Sequence, residues 1–278
     1  MKRVLLVDNG SLEPASTLQL RRIATELSAE LGLPVDPVSI AHSNKVPESQ
    51  LGGRAAELFE AGLDRVIAGG AREIVVAPLF VGPSYAIVRH LPAVVAERTK
   101  ARTGFQARIA EPLFVAGETR LGRILADEVS ALLEQHRAAA VGSAGRPRVA
   151  VVDHGSPSRA VTDVRDRVAA QVRELLGGAV ADVAACSMER RPGEEFAFNE
   201  PLLENLLARE EWQKGPLAIA LLFIAPGKHA GPDGDVAQIV VRARAGAMEN
   251  VSFTPVMGTH PLLVSILADR VAAAVARF

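Results

Sequence analysis

Four side chains that can bind a divalent metal each follow a short apolar segment in the second half of the sequence. His154 comes directly after VAVVD, Glu189 lies in CSMERRP, His229 in LLFIAPGKHAGPDGD and His260 in GTHP. Imidazole nitrogen together with carboxylate oxygen suits borderline ions such as Co(II), Fe(II), Ni(II) and Zn(II). Imidazoles also titrate near neutral pH, so the same groups could accept protons that a metal displaces. The residue types therefore predict a metal site with open positions and acid–base capability.

The elements that must position these residues follow from hydrophobic periodicity. Each half alternates short β-branched runs with longer amphipathic segments, which is typical of parallel strands joined by helices. In the second half we expect strands at 148–153, 180–186, 217–224 and 250–254, and helices at 159–176, 199–211, 235–246 and 260–277. In the first half we expect strands at 3–8, 35–41, 73–80 and 106–110. Because ligands bind at the carboxyl ends of parallel strands, the four side chains should meet at one sheet edge.

An internal repeat organises the chain. VLLVDNGS at 4–11 and VAVVDHGS at 149–156 are identical at five of eight positions, and ILAD occurs at both 124–127 and 266–269. The small residues, glycines and proline of AAAVGSAGRP at 138–147 are typical of a linker. The sequence therefore predicts an α/β protein with two similar domains, at 1–140 and 147–278. Each domain is expected to be a parallel four-stranded sheet flanked by helices.

The two halves differ at the positions that carry the candidate chemistry. Alignment of the repeats places Asn9 opposite His154, Asn44 opposite Glu189, Glu118 opposite His260, and Tyr85 and Ala86 on either side of the position of His229. The first half keeps the turn residues Asp8, Gly10 and Ser11 but lacks the imidazoles. We therefore expect the second domain to carry the metal chemistry and the first to have a degenerate site.

Composition narrows the classes of function. The formal net charge is −1, with 23% charged residues, so no strong positive field is available for nucleic acid or an anionic membrane. The single cysteine, Cys186, excludes an internal disulfide and is expected to be a buried core thiol. No apolar stretch has membrane-spanning length, and the N-terminal apolar run is too short for a signal peptide. We expect a cytoplasmic protein without nucleic-acid or membrane partners.

These segments resemble the class II chelatases of tetrapyrrole biosynthesis, and most closely the sirohydrochlorin cobaltochelatase family in its two-domain form. The resemblance rests on DHGS at 153–156, the Glu189 loop, PGKH ending at His229, and PVMGTHPLLVSILADRV at 255–271. It implies two similar α/β domains with a ligand cleft between them. It also implies a metal-free tetrapyrrole substrate, into which a divalent metal is inserted while two pyrrole protons leave.

Carried over position by position, the resemblance makes His154 and His229 the residues that bind the metal or take the pyrrole protons, with Glu189 as the assisting acid. Family members often have an Asp about four residues after the second His. Asp233 has that spacing and Asp235 follows two residues later, so the choice between them stays open.

The expected substrate contacts lie beside these residues. Sirohydrochlorin is ringed by carboxylates, with which the flanking cations can pair. The candidates are Ser156, Arg190, Arg191, Lys228 and His260, although His260 could instead simply open the final helix.

The first functional hypothesis is a cobaltochelatase of cobalamin synthesis, acting as a monomer or homodimer without an organic cofactor. Co(II) would be a substrate, and the same site could serve Fe(II) for siroheme or Ni(II) for a related cofactor. A second hypothesis is a non-catalytic tetrapyrrole or metal carrier, suggested by the degenerate first half. A third is a phosphate-binding α/β enzyme that uses the Gly-Ser turns. It leaves the histidines unexplained and lacks a full nucleotide fingerprint.

Overall fold

The computed structural model describes residues 1–138, 145–245 and 248–278, and within these ranges it contains two four-stranded parallel sheets. The first has the order β2-β1-β3-β4, formed by β1 (Lys2–Asp8), β2 (Val35–Ser39), β3 (Glu73–Pro78) and β4 (Gln106–Ile109). The second has the order β6-β5-β7-β8, formed by β5 (Arg148–Asp153), β6 (Asp182–Ser187), β7 (Leu217–Leu221) and β8 (Val251–Phe253). The predicted fold class is confirmed. The predicted linker at 138–147 lies largely outside the described residues.

Both central strands are apolar between their charged ends because helices cover both faces of a parallel sheet. Val4 to Val7 and Val149 to Val152 are fully buried. The helices are α1 (Pro14–Leu31), α2 (Phe59–Ala68), α3 (Leu91–Ala101), α4 (Arg120–Ala138), α5 (Arg159–Leu176), α6 (Leu203–Leu207), α7 (Glu210–Gln213), α8 (Asp235–Ala243) and α9 (Pro261–Val275). Within the described ranges, no helix combines the length and apolarity needed to cross a membrane. Cys186, on β6, lies in the core, and burial raises the pKa of its thiol.

The helix predicted at 199–211 is wrong in its extent. The structure has two short helices there, α6 and α7; Asn199 ends a 3-10 helix that begins at Glu194, and residues 200–202 have no helical structure. Pro201 has no N–H to donate and disfavours helical backbone at Glu200. Its carbonyl accepts a hydrogen bond from Ser187 N (3.1 Å), so the segment runs beside the end of β6.

The elements form two compact units. Unit 1 comprises Met1–Ala116, Ala225–Gly227 and His260–Phe278, and unit 2 comprises Gly117–Ile224 and Lys228–Thr259. In unit 1, α9 packs against α1 and β3, and in unit 2, α4 packs against α5 and β7. Each unit thus holds the final helix of the other sequence repeat. The predicted domains 1–140 and 147–278 describe the repeat in the sequence, and the compact units divide the helices differently.

A buried arginine organises the carboxyl end of the second sheet. Arg165, on α5, is 2% exposed and donates from Nη1 to Ser187 Oγ (2.6 Å) and to the Asn199 carbonyl (2.8 Å). Ser187 Oγ donates in turn to Asp153 Oδ1 (2.6 Å), which also accepts from Gly155 N (3.1 Å). The arginine therefore connects α5 to the ends of β5 and β6 through buried hydrogen bonds.

Replacing this arginine should destabilise the protein strongly. We expect Arg165→Leu to lower the free energy of unfolding by about 3 kcal/mol or more, since it leaves a buried carboxylate and two acceptors without their cation. Arg167→Leu, on the exposed face of the same helix, should change it by less than about 0.5 kcal/mol. Chemical denaturation of the two variants beside the parent protein measures both values. Equal losses would mean that the network contributes no specific stability.

Candidate functional site

The turn that carries His154 is joined to the loop that carries Glu189 by backbone contacts. Glu189 N donates to the His154 carbonyl (3.2 Å) and Met188 N to the Asp153 carbonyl (2.7 Å). Gly155 has a φ of +92°, and a Cβ at this position would overlap the Glu189 carbonyl oxygen. Only glycine combines this backbone conformation with so close an approach. The two loops are thus held together before any side chain contributes.

The hydrogen bond of His154 determines which ring nitrogen is free. Nδ1 lies 3.1 Å from the Gly155 carbonyl, which can only accept, so Nδ1 carries the proton. In the neutral ring the lone pair is then on Nε2, which lies 3.5 Å from Glu189 Oε1. Two ligand atoms on one tetrahedral metal, each at about 2.1 Å from it, are about 3.4 Å apart. A metal ion or a proton between Nε2 and the carboxylate would satisfy both.

His229 is oriented by a carboxylate from its own loop. Its Nδ1 donates to Asp235 Oδ2 (2.7 Å), so its Nε2 is also left with the lone pair. The loop folds back because Asp235 N donates to the Lys228 carbonyl and Val236 N to the His229 carbonyl, each at 3.1 Å. Gly234 permits this, since a Cβ there would press against the His229 carbonyl. The choice left open by the sequence therefore falls on Asp235 as the contact of His229, and the Asp233 side chain is exposed.

The two imidazoles are neighbours in unit 2. Their ring centroids are 4.7 Å apart and the planes meet at 77°, edge to face. The side chain of His154 is 46% exposed and that of His229 is 34% exposed, so both can be reached from solvent. Among the described residues, no group of three or more His, Cys, Asp or Glu side chains is arranged to hold a metal ion. The site thus offers two imidazole nitrogens and a nearby carboxylate without closing them around an ion.

The predicted substrate-binding residues occupy different environments. Ser156 Oγ accepts from Ser158 N (3.0 Å) in the turn that leads to α5. Arg190 donates to Glu200 Oε1 (2.9 Å) and to the Gly193 carbonyl (3.0 Å), so its charge is already compensated. Arg191 is exposed, with its guanidinium 6.0 Å from the ring centroid of Phe196, and the Lys228 side chain is 73% exposed.

His260 belongs to unit 1, whereas the other three predicted metal-competent residues belong to unit 2. Its Nδ1 accepts from Leu262 N (3.3 Å) and caps the start of α9. Its sequence counterpart Glu118 does the same for α4, because Glu118 Oε1 accepts from Arg120 N (2.9 Å). This shared geometry agrees with the alternative in which His260 opens the last helix, and its substrate contact stays a prediction.

The structure corrects one part of the alignment between repeats. Ser39 pairs with Asp8 in the first sheet, and Ser187 pairs with Asp153 in the second. Ala41 N donates to the Asn9 carbonyl as Glu189 N donates to the His154 carbonyl. The residue opposite Glu189 is therefore Ala41 and not Asn44, because the segments before β2 and β6 differ in length. The first repeat thus lacks both the imidazole of His154 and the carboxylate of Glu189.

The first repeat also lacks the buried cation. Leu20 takes the position of Arg165, since α1 and α5 have equal length and start at corresponding residues. Asp8 is the counterpart of Asp153, and its Oδ1 is buried without a hydrogen-bond partner among the described residues. Burial raises the pKa of Asp8 to about 6, and a hydrogen bond from Ser39 opposes the rise only in part. Burial likewise raises the pKa of Asp153, but there Arg165 is a further opposing charge.

Two repeats of a parallel α/β sheet, with paired imidazoles at the carboxyl edge of one, define a chelatase-like class of protein. A model of the CbiX family matches residues 3–130 and 148–274, one match for each repeat. The chain belongs to the CbiX family, and the predicted resemblance to two-domain class II chelatases is confirmed. A search of curated proteins finds no match.

Solved structures share the fold over the whole chain. SirB from Bacillus subtilis with Fe3+ aligns with a TM-score of 0.72 and 15% identity, covering 99% of this chain and 96% of that one. The sirohydrochlorin chelatase SirB from Bacillus subtilis subspecies spizizenii, in complex with cobalt, aligns with a TM-score of 0.71 and 14% identity, covering 98% and 94%. CbiX, described as the terminal enzyme for siroheme biosynthesis in denitrifying bacteria, aligns with a TM-score of 0.60 and 19% identity, covering 99% of each chain. At these identities the likeness shows the fold.

The contact between His229 and Asp235 predicts a difference between the two neighbouring aspartates. Asp235→Asn should weaken Co(II) binding about tenfold or more, because the carboxylate that orients the imidazole and increases its basicity is lost. Asp233→Asn removes the same charge two residues away and should have little effect. Isothermal titration of each variant with Co(II) measures the affinities. Equal weakening in both would show that only the local charge matters.

The raised pKa of Asp8 predicts a stability change with pH. The folded state binds this proton more tightly than the unfolded state, so the stabilisation from protonation grows as pH falls from above 6 toward 4 and is lost as pH rises. The thermal midpoint of the parent relative to Asp8→Asn should therefore be higher at pH 5 than at pH 7.5. Glu30→Gln, an exposed carboxylate on α1, provides the control. A difference that does not vary with pH would contradict the assignment.

Proposed function

We propose that this chain inserts a divalent metal ion into sirohydrochlorin, with cobalt as the metal. The observation that carries the proposal is the pair of imidazoles in edge contact, each with its Nδ1 held by an acceptor and its Nε2 left free. Membership of the CbiX family supports it, as do the names of the solved chelatases that share the fold.

Metal insertion requires groups that can exchange a metal for protons. The metal enters as a substrate, and two pyrrole N–H protons must leave the ring as the dication enters. His154 and His229 each offer a lone pair at Nε2 that can bind the ion or take a proton. An imidazolium at His229 would be stabilised by Asp235, 2.7 Å from Nδ1, and one at His154 by Glu189, 3.5 Å from Nε2. Each imidazole thus has an anion that compensates its charge after proton transfer.

Substrate orientation is assigned to the exposed cations around the imidazoles. Arg191 can pair with carboxylates of the macrocycle, since its side chain extends into solvent. The Lys228 side chain is 73% exposed and its Nζ lies 4.0 Å from Asp235 Oδ2, so it can exchange this loose contact for a substrate carboxylate. Arg190 would have to leave Glu200 to do so, and we expect its contribution to be smaller. Ser156 and His260 complete the proposed contacts.

Cobalt is the metal that we propose among several that these ligands could accept. Imidazole and carboxylate ligands accept several first-row ions, so selectivity depends on geometry and supply. Among the structures that share the fold, one holds Fe3+ and another cobalt. Iron insertion for siroheme is therefore the alternative, and parallel assays with Co(II), Fe(II) and Ni(II) rank the metals.

A carrier that binds the tetrapyrrole or metal without turnover is the second candidate. The exposed imidazoles and the nearby Glu189 carboxylate can contact an ion from solvent, which suits either insertion or delivery. Catalytic turnover distinguishes a chelatase from a carrier. Stoichiometric binding of sirohydrochlorin without catalysed insertion of any of the three metals would select the carrier.

The repeat provides a matched pair of variants. His154→Ala should lower the initial rate of Co(II) insertion by about a hundredfold or more, the loss typical of removing a general base. Asn9→Ala alters the corresponding position of the first repeat and should leave the rate near that of the parent. The absorbance change of sirohydrochlorin on insertion gives the rates. No catalysis in the parent protein, or equal loss in both variants, would overturn a site located in the second repeat.

A further inference from the structure

Unit 1 contains a surface cavity that the proposed chemistry does not use. Its volume is about 740 Å³, and it lies between α1, β2 and the segment that leads into α2. This is the size of a small-molecule site. The polar residues that line it include Thr17, Arg21, Asp36, Asn44, Arg54 and Arg65.

Comparison with the second repeat identifies a hydrogen-bond acceptor that this cavity lacks. In unit 2 the amide oxygen of Asn199 accepts from Thr162 Oγ1 (3.2 Å) and from Ser156 N (2.9 Å). Asn199 lies three residues before Leu202, which forms a bridge to Ser187. The corresponding bridge in unit 1 joins Leu58 to Ser39, so the residue in the position of Asn199 is Ala55.

The loss of this amide leaves a buried hydroxyl unsatisfied. Thr17, the counterpart of Thr162, is 4% exposed and lines the cavity, and its Oγ1 has no hydrogen-bond partner among the described residues. A buried hydroxyl without a partner is costly. The missing partner is an acceptor oxygen, because an acceptor oxygen occupies this position in unit 2.

The charges around the cavity indicate the sign of the ligand. Asp36 is bonded by Arg3 (2.7 Å) and Arg65 (3.2 Å), and Arg65 also donates twice to Glu57 (2.8 Å each). Both lining carboxylates are thus compensated by arginines.

Two further arginines keep an uncompensated charge. Arg21 donates only to carbonyls, those of Leu51, Arg54 and Ala55, and within the described chain neither it nor Arg54 has a carboxylate partner. Burial, and then the charge of Arg54, hold the pKa of Arg21 below its ordinary value. Two arginines whose guanidinium groups have no carboxylate partner in the described part of the chain therefore line the same cavity as Thr17.

We infer that this cavity binds a small metabolite through a carboxylate or phosphate group, with Arg21 and Arg54 pairing with its charge and Thr17 donating to one of its oxygens. The site lies wholly within unit 1, whereas His154, Glu189 and His229 lie in unit 2. It is therefore a ligand site distinct from the proposed metal chemistry, and it can be tested by binding alone.

Titration calorimetry with the full chain tests the inference, using inorganic phosphate in one arm and citrate in the other. The parent should bind at least one probe with a Kd of about 1 mM or tighter. Arg54→Ala should weaken binding about tenfold, since it removes a charge-assisted hydrogen bond, and Thr17→Val about threefold. Binding of phosphate alone would indicate a phosphate-bearing ligand, and binding of citrate alone would indicate a carboxylate-bearing ligand.

Arg22→Ala is the matched control, because Arg22 is the next residue on α1 and pairs instead with Glu26, outside the cavity. It should leave probe affinity unchanged. The inference is overturned if neither probe binds or if Arg22→Ala weakens binding as much as Arg54→Ala. Displacement of the bound probe by sirohydrochlorin would also overturn it, by making the cavity part of the substrate site.

Discussion

The close approach of the Gly155 backbone to the Glu189 carbonyl supports the rest of the candidate site. A left-handed turn and the absence of a Cβ let two loops meet at backbone distance, so that side chains from β5 and β6 emerge as neighbours. Beneath them Arg165 connects α5 to Ser187, which donates to Asp153. The imidazole and carboxylate thus stand on a scaffold that is rigid for reasons unrelated to their own chemistry.

The first repeat shows that this scaffold persists without the chemistry. Gly10 has a φ of +80° and approaches the Ala41 carbonyl as closely as Gly155 approaches Glu189. Asn9 and Ala41 nevertheless replace the imidazole and the carboxylate, so the conserved geometry positions side chains that cannot exchange protons with a metal. In this chain the fold and the function are separable at the level of individual residues.

Local sequence patterns were sufficient to predict the strands of both sheets, because β1 and β5 contain continuous apolar runs that lead into a glycine turn. They also predicted the neighbourhood of His154, Glu189 and His229, which requires only that parallel strands share a carboxyl edge. The counterpart of Glu189 was misassigned because periodicity does not report how many residues a loop inserts. The contact between Asp235 and His229 could not be predicted, because it depends on how the loop folds back, and residue spacing does not specify that. Arg165 did leave a signal, a charge between apolar positions of α5, but its partners are distant in sequence.

The grouping of the final helices has a consequence for how the chain folds during synthesis. Unit 1 includes both residues 1–116 and His260–Phe278, so its sheet remains without α9 until residues 260–278 have been synthesised. Unit 2, which needs only residues 117–224 and 228–259, can gather its elements earlier. During vectorial synthesis the elements of unit 2 are therefore complete before those of unit 1, the reverse of the usual case in which the N-terminal domain is completed first.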